Sequence, residues 1–575
     1  MASIHTTVDE DKQDNGKVDF HQAATLVPPN LLDVNHIEKT KSHNNALGER
    51  VAVAEKPQSD ETNPEEYPAG WSLFVMVVAL VLSVFLINLD MTIVATAIPR
   101  ITDEFHGLGD VSWYSSAFFM TTAGFQSAWG KVYKYFPLKT TYLTSLFIFE
   151  LGSLICGVAP NSTTLIVGRA IAGVGAGGFG TGSFTIIAFA AEPKKRPMLS
   201  GILGASYGVS AVVGPLIGGA LTDKATWRWC FYINLPIGGV SGLIIFFFFT
   251  TPSASKPTAA SLLEKVLQMD LVGVFLIMGA VISYILALQY GGQAHPWNSP
   301  VVIGLLVGFV VIIFAFAGWE WFQEDRAMMP LRLVANRLYI VASLFEFFFA
   351  AAYFLTIYYL PIYFQSIDNS SPTESGVRNL PLILAVSIST IISGGFISKT
   401  GIAAPVMVFG AALATVTAGL MYTLDIDTPA GKWIGYQILG GVGWGLAVQI
   451  PIITVQVSAP AEDLAEVTAI LFFFQTVGAA FIISAAQAAF VNVVVKTLPY
   501  SAPSVDPARL VATGATELRK VFMPEQVPGI LVAYMAGLKA SFLVSLASVA
   551  MALVIGLFSR WKRLNMVAVS GGVLA

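Results

Sequence analysis

The sequence predicts an all-α protein that crosses a membrane many times, and three observations carry that prediction. Hydrophobic residues make up 55% of the 575 positions and charged residues only 12%, with a mean hydropathy of +0.68. Apolar runs long enough to span a bilayer, roughly 20 residues each, recur fourteen times. Basic residues gather in alternate connections between those runs, as they do when cytosolic loops retain Lys and Arg. Length alone would suggest several soluble domains, a reading the composition overrides. A net charge of −4 is too small to point to nucleic acid. Cys156 and Cys230 both lie in or beside apolar runs, which argues against a disulfide framework.

Residues 1–68 are polar and lack an apolar period, so they read as a disordered cytosolic tail with no cleavable signal. The first bundle occupies 69–250, with spans near 71–97, 112–132, 140–159, 163–187, 199–221 and 231–250. Residues 251–335 hold an inner linker with Pro252 and Pro257 and two further spans, 269–289 and 301–322. The second bundle, 336–562, has spans near 339–364, 377–397, 404–423, 433–457, 466–490 and 537–559, and 563–575 form a short cytosolic tail. A long outer loop, 491–536, carries DPARLVATGATELRKVF, which suits either a short helix at the membrane surface or a solvated loop helix.

With both termini placed in the cytosol, inner connections hold fifteen Lys and Arg against five in the short outer connections. One inner connection, Ala459–Glu466, breaks the pattern by being acidic. The glycosylation sequons at Asn161 and Asn369 both fall on the outer side. A faint repeat sets Gly130 and Pro137 after the second span beside Gly394 and Gly401 after the tenth. Setting spans seven and eight aside makes these corresponding positions in two six-helix halves.

Ionisable residues inside a span cost roughly 2.5–3.5 kcal/mol each, so they are functional candidates by default. Asp90, Glu150, Arg169 and Glu346 are four such residues. Asp90 could equally cap or pair near the outer end, and Arg169 could snorkel, although it heads a glycine ladder through Gly178. Glu150 reads as a structural partner of Arg169 or as a separate proton carrier. Glu346, among Phe345, Phe347, Phe348 and Phe349, is a place to bind and release a proton, or a polar residue facing the two extra helices. Tyr353, Gln449, Phe473 and Gln475, with further glutamines at 437, 456 and 487, would give an apolar pocket with a few hydrogen-bonding points.

The fifth span is the most unusual stretch. At about 100° per residue, Gly204, Gly208, Ala211, Pro215, Gly218 and Gly219 share one stripe. Glycine in a helix costs roughly 1 kcal/mol against alanine, and in lipid the usual reason to tolerate it is close helix approach. Nucleophile triads, HExxH, paired CxxC and a phosphate loop are missing from the sequence, so no enzyme, cofactor or metal is expected.

GASYGVSAVVGPLIGG (204–219), with LIVGRAIAGVGAGG (165–178), LDMTIVATAIPRI (89–101), GKVYKYFPLK (130–139) and TWRWCFYINLPIGG (226–239), resembles the motif set of a known family. It is that of the fourteen-helix drug:proton antiporters of the major facilitator superfamily, especially fungal multidrug and toxin exporters. The resemblance implies the major facilitator fold, two six-helix bundles with spans seven and eight inserted outside the core. It further implies a monomeric plasma-membrane or vacuolar exporter that trades protons for bulky, mostly apolar organic compounds. Arg169 is then the proton-linked arginine, and Gly214 and Pro215 the centre of the antiport helix. In the loop after the second span the family's acidic residue is replaced by Lys134 and its later glycine by Pro137. Only Gly130, Lys131 and Lys139 therefore carry over as inner-face contacts. The rival readings are a proton-coupled importer of iron chelates or another nutrient, a non-transporting sensor, and a lipid-modifying enzyme.

Overall fold

Fourteen long helices account for almost all of the computed structural model, which describes residues 67–105 (except 69), 111–252 and 255–565. Apart from its last two residues, the expected tail 1–68 lies outside the described residues, as does the end of the chain beyond 565. The helices are α1 Gly70–Phe105, α2 Val111–Tyr135, α3 Leu138–Gly157, α4 Ser162–Ala190, α5 Arg196–Lys224 and α6 Asn234–Phe248. There follow α7 Leu271–Tyr290, α8 Pro300–Gln323, α9 Arg337–Ser366, α10 Leu380–Thr400 and α11 Ala404–Tyr422. Last come α12 Ala430–Ala447, α13 Leu464–Ser501 and α14 Val527–Leu557. A single turn, Trp229–Tyr232, leads into α6, and a short helix, Ile450–Ser458, continues α12 beyond a break at Gln449.

Among the described residues, thirteen spans are long and apolar enough to cross a bilayer. The expected second span, α2, is a 25-residue helix outside that set, and its hydrogen bonds explain why. Thr121, Thr122, Trp129 and Tyr133 all donate to carbonyls of α4, at 2.8–3.1 Å. α2 meets protein rather than lipid along that face, so it needs donors there.

Those donors reach α4 because α4 has almost no side chains in the way. A Cβ added at Gly175 would stand 2.6 Å from the Ser145 carbonyl of α3, and one at Gly177 3.1 Å from that of Thr122 on α2. Small residues admit this backbone contact. α12 repeats the arrangement in the second half. A Cβ at Gly441 would lie 2.6 Å from the Leu382 carbonyl of α10, and one at Gly443 2.6 Å from the Ala414 nitrogen of α11. The faint repeat also acquires a meaning. Gly130 of α2 packs on Ala469 and Glu466 of α13, while Gly394 of α10 packs on the Pro197 carbonyl of α5. Each half thus lays one glycine against the other half, at seams α2–α13 and α5–α10.

The inserted pair is only partly outside the core. α8 buries little besides Val302 and Phe316. α7, contrary to expectation, lies along the α2–α13 seam. Val274, Ile277 and Val281 join Ala123 and Ala128 of α2 and Phe473 and Val477 of α13 in one apolar cluster. Tyr284 packs 4.5 Å from Phe481 of α13, ring centroid to centroid. Asp270 opens α7, as a left-handed N-cap (φ 44°) that accepts from Gly273 N at 3.0 Å and Trp319 Nε1 at 2.7 Å. The outer loop is shorter than expected because α13 runs on to Ser501 and α14 begins at Val527. Its expected helix is two short ones, Pro507–Val511 and Leu518–Val521.

Candidate functional site

Asp90 of α1 and Arg169 of α4 form a fully buried ion pair. Asn234 of α6 donates to Asp90 Oδ1 at 2.9 Å, Arg169 Nε donates to the Tyr114 carbonyl of α2 at 2.8 Å, and the guanidinium stacks 4.4 Å over Phe118. Four helices meet at this clasp. Glu150 is not the partner of Arg169: both its carboxylate oxygens are buried against Gly238 of α6 without a hydrogen bond among the described residues.

In the second half, Gln475 of α13 donates to Glu346 Oε1 of α9 at 2.6 Å, and Glu346 Oε2 has no partner among the described residues. Tyr207 of α5 lies beside Asn88 of α1 and within electrostatic reach of Glu346. Two turns along α9, Tyr353 stacks 6.0 Å from Trp444 of α12. The Tyr353 hydroxyl, Trp444 Nε1 and Gln449 Oε1 are buried and unpartnered, like Glu346 Oε2. Unpaired buried polar atoms cost about 1–3 kcal/mol each, so these four, on α9, α12 and the break after α12, are candidates for bonds that another molecule could supply. Trp444 was absent from the sequence-based candidates, since nothing in GGVGWG distinguishes an indole that packs from one that binds.

The other expected pocket residues are placed differently. Gln437 ties α12 to the Leu382 nitrogen and the Arg378 carbonyl. Gln487 accepts from Tyr359, and Gln456 donates to the Phe184 carbonyl of α4. Phe473 lies in the seam cluster with α7. Asn161 caps α4 through Thr164 N at 2.8 Å, and Asn369 stands at φ 55° near Arg519.

α5 runs between the halves. Toward its outer end, Ser210 Oγ donates to the Phe85 carbonyl of α1 at 3.0 Å, and Gly214 faces Thr92. Toward its inner end, a Cβ at Gly201 would sit 2.9 Å from the Thr390 carbonyl of α10, and one at Gly208 2.9 Å from Ile383 Cγ2. Gly204 faces the Gln449 side chain. Pro215 is half-buried, Gly218 is buried, and a Cβ at Gly219 would meet nothing within 4 Å.

The acidic connection before α13 closes the basic face. Asp463 takes two bonds from Arg332, at 2.6 and 2.7 Å, and one from Lys134 at 3.1 Å. Glu466 lies 3.3 Å from Lys134 and 3.9 Å from Lys131. Lys131, only 1% exposed, donates to Gln268 Oε1 at 3.1 Å and to the Asp325 carbonyl at 2.5 Å. Burial pushes the Asp463 carboxyl up, but the Arg332 bonds and the charges of Lys134 and Arg332 outweigh it, leaving it below its usual range. The Asp463 bonds also raise the Arg332 guanidinium. Lys134, set aside on sequence, is thus at the centre of this contact. Lys139 is elsewhere, 5.5 Å over the Phe246 ring. The clue was the one acidic connection on an otherwise basic side.

Comparison with known proteins gives the family. A model of the Major Facilitator Superfamily matches residues 80–483. "MFS-type transporter grgE" of a Penicillium species is 56% identical over 519 residues, covering 90% of this chain and 92% of its own. "Probable efflux pump gsfJ" of Penicillium aethiopicum is 54% identical over 522 residues, 89% and 93% of the two chains. "MFS-type efflux pump MFS1" of Trichophyton rubrum is 41% identical over 504 residues, 88% and 94%. Among solved structures, the proton:xylose symporter XylE superposes with a TM-score of 0.54 at 11% identity, over 86% of this chain and 98% of its own. A bacterial homologue of the lysosomal transporter Spinster gives 0.53 at 15%, over 86% and 100%. The chain is a membrane transporter, not an enzyme, and belongs to the Major Facilitator Superfamily.

Proposed function

We propose that this protein is a proton-coupled exporter of bulky, mostly apolar organic compounds, acting as a monomer in the plasma membrane with both termini in the cytosol. The observation that carries the reading is the position of α5, whose glycines lie against α1 at one end and α10 at the other. A helix held in backbone contact with both halves can keep them sealed while they rock. The efflux names of the fungal relatives favour the outward direction.

In this reading the face closed by Lys131, Lys134, Arg332, Asp463 and Glu466 is cytosolic, as the excess of Lys and Arg there suggests. When that contact parts, cargo enters and offers its acceptors and donors to Trp444, Tyr353 and Gln449. Glu346 suits proton carriage better than the other three intramembrane charges. One oxygen is held by Gln475 and the other is unpartnered. Asp90 and Arg169 satisfy each other and fit a clasp that holds the first half rigid. Glu150, with both oxygens unpartnered, is the second candidate for the proton.

The energetics suffice. One proton crossing 100 mV yields about 2.3 kcal/mol and one pH unit about 1.4, enough for a cargo gradient of several hundredfold. Export of a fluorescent hydrophobic dye from cells expressing the protein tests the coupling. A protonophore should collapse the export; export that persists at the same rate refutes proton coupling.

A further inference from the structure

At the basic face of the second half, a cleft opens between the starts of α9 and α11, the short helix Ile450–Ser458 and the chain leaving α14. Its wall is apolar, formed by Leu338, Met407, Ile450 and Leu564, and its rim carries Arg337 and Arg560. Neither arginine has an acidic partner among the described residues; Arg337 gives one bond to the Phe558 carbonyl at 3.2 Å and Arg560 is exposed. Ser559, also lining the cleft, keeps a buried hydroxyl without a partner. α11 points its N-terminus here, beginning at Ala403 and Ala404 with no side chain to cap it. Its first amides add positive potential. Phe558 and Trp561 beside the mouth are more than half exposed, as aromatic side chains are where a protein meets the headgroup layer.

Two unpaired guanidiniums, a free hydroxyl and an uncapped helix start call for an anion. The apolar wall directly beneath calls for a chain attached to it. We infer that this cleft binds an anionic glycerophospholipid, phosphate on Arg337 and Arg560 and acyl chain against Met407 and Ile450. Basic pockets between transmembrane helices take acidic headgroups in this way. The occupant would touch Pro451 and Thr454, one turn beyond the break at Gln449.

The test is thermal unfolding of the purified, delipidated full-length protein in detergent, titrated with dioleoylphosphatidylserine, dioleoylphosphatidylcholine or inorganic phosphate. The midpoint should rise with phosphatidylserine alone. Each basic contact near a membrane surface is worth about a fivefold change in affinity. Arg337→Gln with Arg560→Gln should therefore raise the phosphatidylserine needed for half the effect roughly 25-fold. Should the double variant fold poorly, Arg560→Gln alone should raise it about fivefold. Lys562→Gln with Arg563→Gln, outside the cleft, should leave the titration unchanged. An equal response to phosphatidylcholine, reproduction of the shift by inorganic phosphate, or equal loss in the Lys562/Arg563 variant would each overturn the assignment.

Discussion

Replacing Gly201 by alanine adds one methyl group where α5 meets α10. Its carbon would stand 2.9 Å from the Thr390 carbonyl oxygen, whereas a comfortable carbon–oxygen contact is about 3.3–3.6 Å. The obstacle is backbone, so the two helices must part by about half an ångström or the contact must open. Overpacking of this kind costs about 1–3 kcal/mol. The helix-propensity gain of alanine, roughly 1 kcal/mol, applies equally to every conformation in which α5 stays helical. It raises folding stability without changing the balance between closed and open faces. The steric cost falls on the closed state alone, so the closed-to-open ratio should fall by a factor of about 5–150. Spin labels at Lys195→Cys and Lys399→Cys flank this contact, and the native Cys156 and Cys230 are buried and leave little background. Electron–electron resonance in nanodiscs should show Gly201→Ala enriched in the long distance. Gly219→Ala, where a Cβ meets nothing within 4 Å, should match the wild type. An unchanged distribution in a folded Gly201→Ala protein would mean that this backbone contact does not hold the face shut.

Glu346→Gln should abolish pH-driven dye export while leaving dye binding within a few-fold of wild type; export that still follows the proton gradient would move the proton elsewhere, with Glu150 the next test. Trp444→Phe keeps an aromatic ring but removes the indole N–H donor and part of the packing, so cargo affinity should fall at least about 2- to 10-fold, the worth of one neutral hydrogen bond, read by tryptophan-independent dye titration. Asp90→Asn leaves Arg169 buried and unmatched, costing about 3–5 kcal/mol, and Asp90→Asn with Arg169→Gln should recover part of the lost thermal stability. The Asp463 carboxyl is held below its usual range. Its contribution to closure is therefore present above that range and lost only as pH falls through the depressed value. With Glu346→Gln and Glu466→Gln removing the other carboxyls, the 195–399 distance should then stay flat between about pH 5.5 and 8, well above the carboxylate range.

Helices were legible because lipid leaves the backbone no alternative to internal hydrogen bonding, and a run of 20 apolar residues announces itself. What a span touches is less legible. α2 was placed correctly, yet its polar face reports its neighbour α4 rather than its own tendency to insert. The four intramembrane charges stood out by cost alone, but Arg169 could have paired with Glu150 or Asp90. Only packing brings Asp90 to it across 79 positions of sequence. The glycine stripe of α5 was read as one surface. The structure sets Gly204 against Gln449 and Gly208 against Ile383 of α10 and leaves Gly219 facing open space, while the contact with Thr92 of α1 comes from Gly214, off the stripe. Periodicity assigns a residue to a side of the helix and cannot say where along the axis a neighbour begins.

The inserted pair turns that distinction into a mechanism. The two halves meet at two seams that the repeat makes equivalent, Gly130 against α13 and Gly394 against α5. Among the described residues, only the first has a further long helix lying along it. α7 fills it with Val274, Ile277 and Val281, and Trp297 and Asn492 fasten the hairpin to α13 at the outer end, at 3.1 Å. At the inner end, Gln268 and the Asp325 carbonyl hold Lys131 of α2. A strap bound to both halves restrains separation on that side, whereas among the described residues the α5–α10 seam has small residues and, packed on α5, the short helix Pro372–Arg378. A transporter built this way should open more widely between α5 and α10, and cargo arriving from the bilayer should find its entrance there.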